Sequence, residues 1–327
     1  MSGDKIKVGL AFGTVNPNLN LEKDTWKTIV KEIDKLAFSG IFIVDHLHPQ
    51  WDPITTMAAI AAVTEKVDIG SLVCSVDYRH PVIYAKSSAT INLISNNRHI
   101  FGVGAGWDQN EYNWAGIPFD KASTRIHRLE EAVQIIKGMW TQESTSLDGK
   151  YYKVKNLPKA VYELEYAKPR LMIGGGGKMT LKLAGRHADI VNIPWRVAKG
   201  ENRYQKMVLD GRYESLGKKV EVVKESAKAY GRDPDEIVYS QWIATRRIHG
   251  DPDEEKRKLA KRFDVSVEEI SNCTWIMVGE MKDIVEDLRQ RYEELGISYF
   301  IIDASDSPNV EDLRYLSENL VKPLSKI

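Results

Sequence analysis

The sequence predicts a (β/α)8 barrel, the TIM-barrel arrangement, with extended βα loops. Three observations carry that expectation: short β-rich runs alternate with longer segments of helical period, the runs number eight, and no linker or internal repeat interrupts them. At 327 residues the chain matches one α/β barrel with long loops, so a single domain over residues 1–327 is expected.

The runs are Ile6–Phe12, Ile41–Val44, Ile69–Val76, Ile100–Val103, Leu171–Ile173, Ile190–Ile193, Ile237–Ala244 and Ser298–Asp303. Between the first two, Trp26, Ile29, Val30, Ile33, Leu36 and Ala37 repeat at three and four, with Asp24 placed to cap this helix and Gly40 to stop it. Pro81 opens the third helix, and Ile126, Leu129, Val133, Ile136 and Trp140 lay an apolar stripe on the fourth. Ile284, Val285, Leu288, Tyr292 and Leu295 do the same before the last strand. Two βα connections exceed what a minimal barrel needs, Gly104–Ser123 and Pro194–Ser215; rising from the carboxyl ends of strands, they are expected to wall a pocket. Within the αβ connection Thr141–Arg170, Leu147 to Tyr152 reads as a small hairpin.

Lysine plus arginine equals aspartate plus glutamate at 46 each, so no net field draws the chain to nucleic acid or an anionic membrane, and a small-molecule partner is expected. The apolar stretch Val8 to Phe12 is too short for a signal-peptide core, and no run reaches the roughly eighteen apolar residues of a membrane span. Cys74 and Cys273 form no CxxC pattern and sit in apolar surroundings, which points to buried thiols and a cytoplasmic location.

Polar residues at the top of an apolar barrel strand are catalytic candidates, and the second strand ends in Val44-Asp45-His46-Leu47-His48, with Trp51 close behind. The competing reading makes Asp45 a cap and His46 a surface histidine. The His46-x-His48 pair also fits metal binding, but no matching acidic cluster accompanies the remaining histidines, and no metal is expected. The fourth strand runs into Gly102-Val103-Gly104-Ala105-Gly106-Trp107, where alternating glycines admit a flat ring or simply a crowded turn. After the fifth strand, Gly174, Gly175, Gly176 and Gly177 feed a helix N-terminus, a composition suited to a cofactor phosphate; the Gly-x4-Gly-Lys-Ser/Thr spacing is absent. The third strand is long enough to host a bulge, although an ordinary strand is the plainer reading.

Asp45-His46 with Trp51, the Gly102–Tyr112 segment with Gly116-Ile117-Pro118-Phe119, the Arg128-Leu129-Glu130-Glu131-Ala132 helix, and Ile173–Gly177 followed by Leu183-Ala184-Gly185-Arg186 resemble the luciferase-like monooxygenase superfamily over roughly residues 6–303. Within it, the Gly-Ala-Gly-Trp loop, the Gly-Ile-Pro-Phe turn and the glycine run are similar to the branch that uses the deazaflavin coenzyme F420. The resemblance implies hydride transfer between F420 and a small organic substrate, with His46 as general acid or base and Asp45 orienting the ring or the histidine. It further implies that Leu72, Val73 and Ser75 form a third-strand bulge, often with a non-prolyl cis peptide, behind the deazaflavin. Gly106 and Trp107 would lie beside the ring, Gly176 and Gly177 would receive the phosphate, and Trp51 and Trp107 would line the substrate pocket. The branch's sugar-phosphate dehydrogenase carries a glutamate where this chain has Trp107, which argues against that substrate. A homodimer is implied as well. The alternatives are an FMN-dependent monooxygenase on the same scaffold, needing oxygen and a reductase, and a non-catalytic cofactor-binding protein.

Overall fold

The computed structural model describes residues 6–13, 25–161, 167–305 and 309–327; Asp24, the expected cap of the first helix, lies outside them. The barrel strands are β1 Lys7–Phe12, β2 Gly40–Ile43, β3 Asp68–Ser71, β4 His99–Gly104, β5 Arg170–Gly174, β6 Ile190–Asn192, β7 Val238–Ile243 and β8 Ile297–Asp303. Each pairs in parallel with the next, and β8 pairs back onto β1 from Lys7↔Tyr299 to Ala11↔Asp303, so the sheet closes. Around it run α1 Thr25–Lys35, α2 Pro53–Ala61, α3 Pro81–Ile94, α4 Ala122–Thr141, α5 Lys178–His187, α6 Tyr213–Ala229, α7 Met281–Leu295 and α8 Val310–Leu316. All eight expected strands form, with ends shifted by a residue or two except in the third, which stops at Ser71 where a continuous run to Val76 was expected.

The helices form where the periodicity placed them because each buries its apolar stripe against the barrel. On α4, Leu129, Val133, Ile136 and Trp140 are buried, and on α7 Ile284 and Leu288 are. Pro81 does start α3, behind a His80 cap whose ring nitrogen accepts from the Val82 N–H. Gly40 has a different role from the helix stop expected of it. It sits in β2, where a Cβ would come within 2.3 Å of the Tyr299 hydroxyl and 3.0 Å of the Phe42 ring. The Phe42 ring fills the barrel interior and meets Tyr299 edge-on, so small residues on neighbouring strands leave its room.

The third strand breaks after Ser71 and resumes as Cys74–Ser75, with a cis peptide between Leu72 and Val73. Gly70 faces Ile100 and Cys74 faces Val103, so three residues oppose two, which is the bulge that the resemblance implied and the plainer reading missed. Ser71 Oγ repairs the interrupted ladder by bonding both the N–H and the carbonyl of Gly102.

The hairpin of the α4–β5 connection forms from Ser144–Asp148 and Lys153–Pro158, antiparallel, and folds back along α4. Its turn is held by the Glu131 carboxylate, which accepts from the N–H groups of Lys150, Tyr151 and Tyr152 at 2.8, 2.8 and 3.0 Å. A third long βα excursion, residues 244–280, joins the two expected ones. It carries helices Pro252–Phe263 and Val267–Ser271 and a short parallel pair, Thr245–Arg247 with Ile276–Val278. Its apolar residues Leu259, Phe263, Ile270 and Trp275 pack on Trp195 and Val208 of the β6–α6 loop, making a satellite core that no local period announces. Among the described residues no helix is long and apolar enough to cross a membrane, and Cys74 and Cys273 are buried free thiols.

Candidate functional site

Asp45 and His46 leave the carboxyl end of β2 in opposite directions. Asp45 turns into the protein and is 6 % exposed. Its carboxylate accepts from the Ser75 N–H at 3.1 Å and from Arg79 Nη1 at 3.0 and 3.1 Å, and Arg79 reaches on to Asp52. Burial pushes the Asp45 carboxyl above its ordinary range against the downward pull of Arg79. With both oxygens engaged, Asp45 ties the bulged third strand to the start of α3. It does not orient His46, contrary to one of the two roles expected of it.

The group that bonds His46 is Glu111, in the short helix Gln109–Ala115 of the β4–α4 loop. His46 Nδ1 lies 2.7 Å from Glu111 Oε1, and the side chains are 16 % and 1 % exposed respectively. The second carboxylate oxygen accepts from the Tyr78 hydroxyl at 2.6 Å. Burial alone would raise the Glu111 carboxyl, but the hydrogen bonds from His46 and Tyr78 outweigh it and hold it below its ordinary 4.5. His48 stacks on His46 with ring centroids 4.8 Å apart, and Trp107 meets it edge-on at 5.8 Å. Sequence reasoning passed over Glu111 because it stands three residues after Asp108, which caps this helix, and glutamate in a first turn is ordinarily a solvated capping partner.

Glu111 also supplies the acidic neighbour that the His-x-His pair lacked in sequence. Donor atoms of His46, His48 and Glu111 lie within 4.8 Å of one another. Within that cluster, His46 Nδ1 and Glu111 Oε1 lie 2.7 Å apart, at hydrogen-bond distance.

Around this pair the expected residues divide. Val73 points at the strand ends, and its isopropyl group accounts for two glycines, since a Cβ at Gly104 or Gly174 would fall 2.9 Å from a Val73 methyl; at Gly102 the Ser71 carbonyl oxygen, 2.0 Å from a Cβ, is the tighter obstacle. Packing explains Gly102 and Gly104, therefore, while Gly106 turns the chain with a φ of +69° beside the Tyr112 hydroxyl. Ser75 is buried against that hydroxyl, and Leu72 is buried inside the barrel. Trp107 and Trp51 are 49 % and 48 % exposed; Trp107 reaches His46, whereas the ring partner of Trp51 is Trp26.

The glycine run also divides. None of the four adopts a left-handed backbone. A Cβ on Gly175 would meet the Thr180 side chain at 2.6 Å, and one on Gly176 would meet the Pro194 and Trp195 backbone at 2.6 Å. Only Gly177 faces open space, at the N-terminus of α5, where no side chain caps the helix. Across the same end of the barrel, Trp195 stacks on Trp242 at 5.0 Å and meets Trp275 at a tilt at 4.6 Å, an aromatic group that spacing could not reveal.

A family model described as luciferase-like monooxygenase matches residues 17–299. An F420-dependent glucose-6-phosphate dehydrogenase of Intrasporangium calvum is 27% identical over 310 residues, covering 87% of this chain and 89% of that protein. The solved coenzyme F420 dependent tetrahydromethanopterin reductase of Methanopyrus kandleri superposes with a TM-score of 0.74 at 17% identity, over 97% of this chain and 99% of that one. An F420-dependent secondary alcohol dehydrogenase, solved with an F420-acetone adduct, gives 0.76 at 20% identity, over 98% and 99%. The two structures speak for the fold alone.

Proposed function

The chain belongs to the luciferase-like monooxygenase family, and from that premise we propose that it is an F420-dependent oxidoreductase moving a hydride between the deazaflavin and a small organic substrate. The observation that carries this reading is one barrel end holding both an open, uncapped helix N-terminus at Gly177 and a histidine bonded to a buried carboxylate. The first suits the phosphate of a cofactor, the second the single proton that accompanies a hydride. Relatives named for F420 dependence over nearly the whole chain favour the deazaflavin over FMN.

The residues fit the group. The backbone at Gly177 and the first turn of α5 would receive the phosphate, with Gly174, Gly175 and Gly176 giving that turn its path past Val73, Thr180 and Trp195. Leu72, Val73 and Ser75 would back the ring, and Asp45 fixes that bulge by holding the Ser75 N–H and Arg79. Gly106 lets the loop turn beside the ring so that Trp107 stands over His46, and Trp51 lines the outer pocket. Bound there, the deazaflavin supplies two-electron hydride chemistry. His46 holds or releases the substrate proton at Nε2, with Trp107 edge-on against its ring.

The substrate is a small molecule, and we assign the enzyme to the cytoplasm as a homodimer of one-domain subunits, on the two buried free thiols and on the resemblance of the whole chain. Titrating the purified protein with F420 and separately with FMN, followed by absorbance and fluorescence, tests the reading. Saturable binding of F420 with weak or no binding of FMN is expected, and the reverse order overturns it.

A further inference from the structure

We infer that Glu111, braced by Tyr78, is a positioning residue that fixes His46 in the tautomer carrying its proton on Nδ1, so that Nε2 is the proton acceptor in the free enzyme. This rests on the reading of His46 as the proton-handling residue and goes beyond it by assigning which nitrogen does the work and what enforces it.

The geometry leaves one arrangement that satisfies every group. An ionised carboxylate only accepts, so a ring nitrogen 2.7 Å from Glu111 Oε1 must donate. The alternative, a protonated Glu111 donating to a bare Nδ1, would have to hold its proton in a site where two donors already converge. Tyr78 donates to Oε2 at 2.6 Å, and the Leu47 N–H adds a further hydrogen bond. These bonds hold the carboxyl below its usual value despite its burial. The phenol and the imidazole thus both donate to the carboxylate, Tyr78 to one oxygen of Glu111 and His46 to the other.

Ring orientation is fixed by separate contacts. His48 stacks on one face at 17° and Trp107 meets the ring at 86°, so rotation that would swap the two nitrogens meets aromatic walls. Among the described residues Nε2 has no protein partner. When it takes a proton from substrate, the imidazolium keeps its Nδ1–H on a carboxylate already in place, and no group has to reorganise.

The test reads the tautomer directly. Nitrogen-15 NMR of histidine-labelled protein at alkaline pH, with and without F420, reports which His46 nitrogen carries hydrogen. Nδ1 protonated and Nε2 bare is expected in the wild type. Glu111→Gln is expected to give a mixed or inverted pattern, because the amide can donate to Nδ1 as readily as accept, with a fall in turnover of about 10–100-fold and F420 affinity within about twofold of wild type. Tyr78→Phe should keep the tautomer and lose turnover more mildly, which leaves a second variant if Glu111→Gln folds poorly. A wild-type His46 protonated mainly on Nε2, or a Glu111→Gln spectrum identical to wild type, overturns the assignment. Failure of F420 to bind a protein whose His46 shows the expected tautomer counts against the cofactor reading and leaves this one standing.

Discussion

The carboxyl end of the barrel is built by two different means on its two sides. Over β2 to β4 it is made of side chains: Asp45 with Arg79, His46 with Glu111, and Asp77 with Arg128, each charge answered by a partner. Over β5 to β7 it is made of backbone and rings: a glycine run, the open start of α5, and the cluster of Trp195, Trp242 and Trp275. Paired side chains hold a titrating group in register at little reorganisation cost, which is what proton transfer needs. Bare N–H groups and flat apolar surfaces bind an anion and a ring without titrating at all. On the proposed reading, the first side handles the proton and backs the ring, and the second retains the cofactor phosphate.

The sharpest way to break that division is His46→Ala. Turnover is expected to fall by about two to four orders of magnitude while the F420 dissociation constant stays near wild type. A loss of affinity as large as the loss of rate would put binding on the histidine side and end the contrast.

The glycine side makes a paired prediction. Gly176→Val should lower the thermal midpoint, by roughly 1–3 kcal/mol of stability, because the new Cβ runs into the Pro194 and Trp195 backbone. Gly177→Val, at φ −90° and facing open space, should leave the midpoint within about 0.5 kcal/mol yet weaken F420 by about tenfold. Composition pointed to the whole run and the resemblance to Gly176 and Gly177. With the Pro194 and Trp195 backbone against Gly176, Gly177 is the position where a side chain tests phosphate binding apart from folding. Equal F420 affinity in both variants and wild type would place the phosphate elsewhere.

Acid titration gives a smaller effect on the side-chain half. The Glu111 carboxyl is held below 4.5 when folded, so the stability it contributes is fully present above that value and is lost as pH falls through the folded one. Melting curves between pH 6 and about pH 3 should show wild type losing more stability than Glu111→Gln, on the order of 1 kcal/mol. Parallel acid limbs would mean that the carboxylate is no better held in the fold than outside it.

The smallest expected change is none. Dialysis against a chelator should alter neither turnover nor melting, because His46 and Glu111 engage each other by a hydrogen bond. Elemental analysis showing a stoichiometric metal, with activity lost on its removal, would turn the cluster of His46, His48 and Glu111 into a metal centre.

How much of this was legible in the chain follows from how local each feature is. The barrel was readable because a buried parallel strand is a short apolar run and a covering helix is a period of 3.6, both patterns within about a dozen residues. His46 was readable because a polar residue after such a run stands at the active end of the fold. Glu111 was not: it is 65 positions from His46, and only closure of β2 to β4 into neighbouring strands brings the two within hydrogen-bond reach. Residues 244–280 were missed for the same reason, since Leu259, Phe263 and Trp275 find their core on Trp195 from another loop. The glycine run shows the boundary most plainly. Sequence determined that four residues without Cβ, Gly174 to Gly177, close and follow β5, but whether a Cβ would strike protein or open space depends on where Val73, Thr180 and Trp195 arrive, and packing across the closed barrel alone decides that.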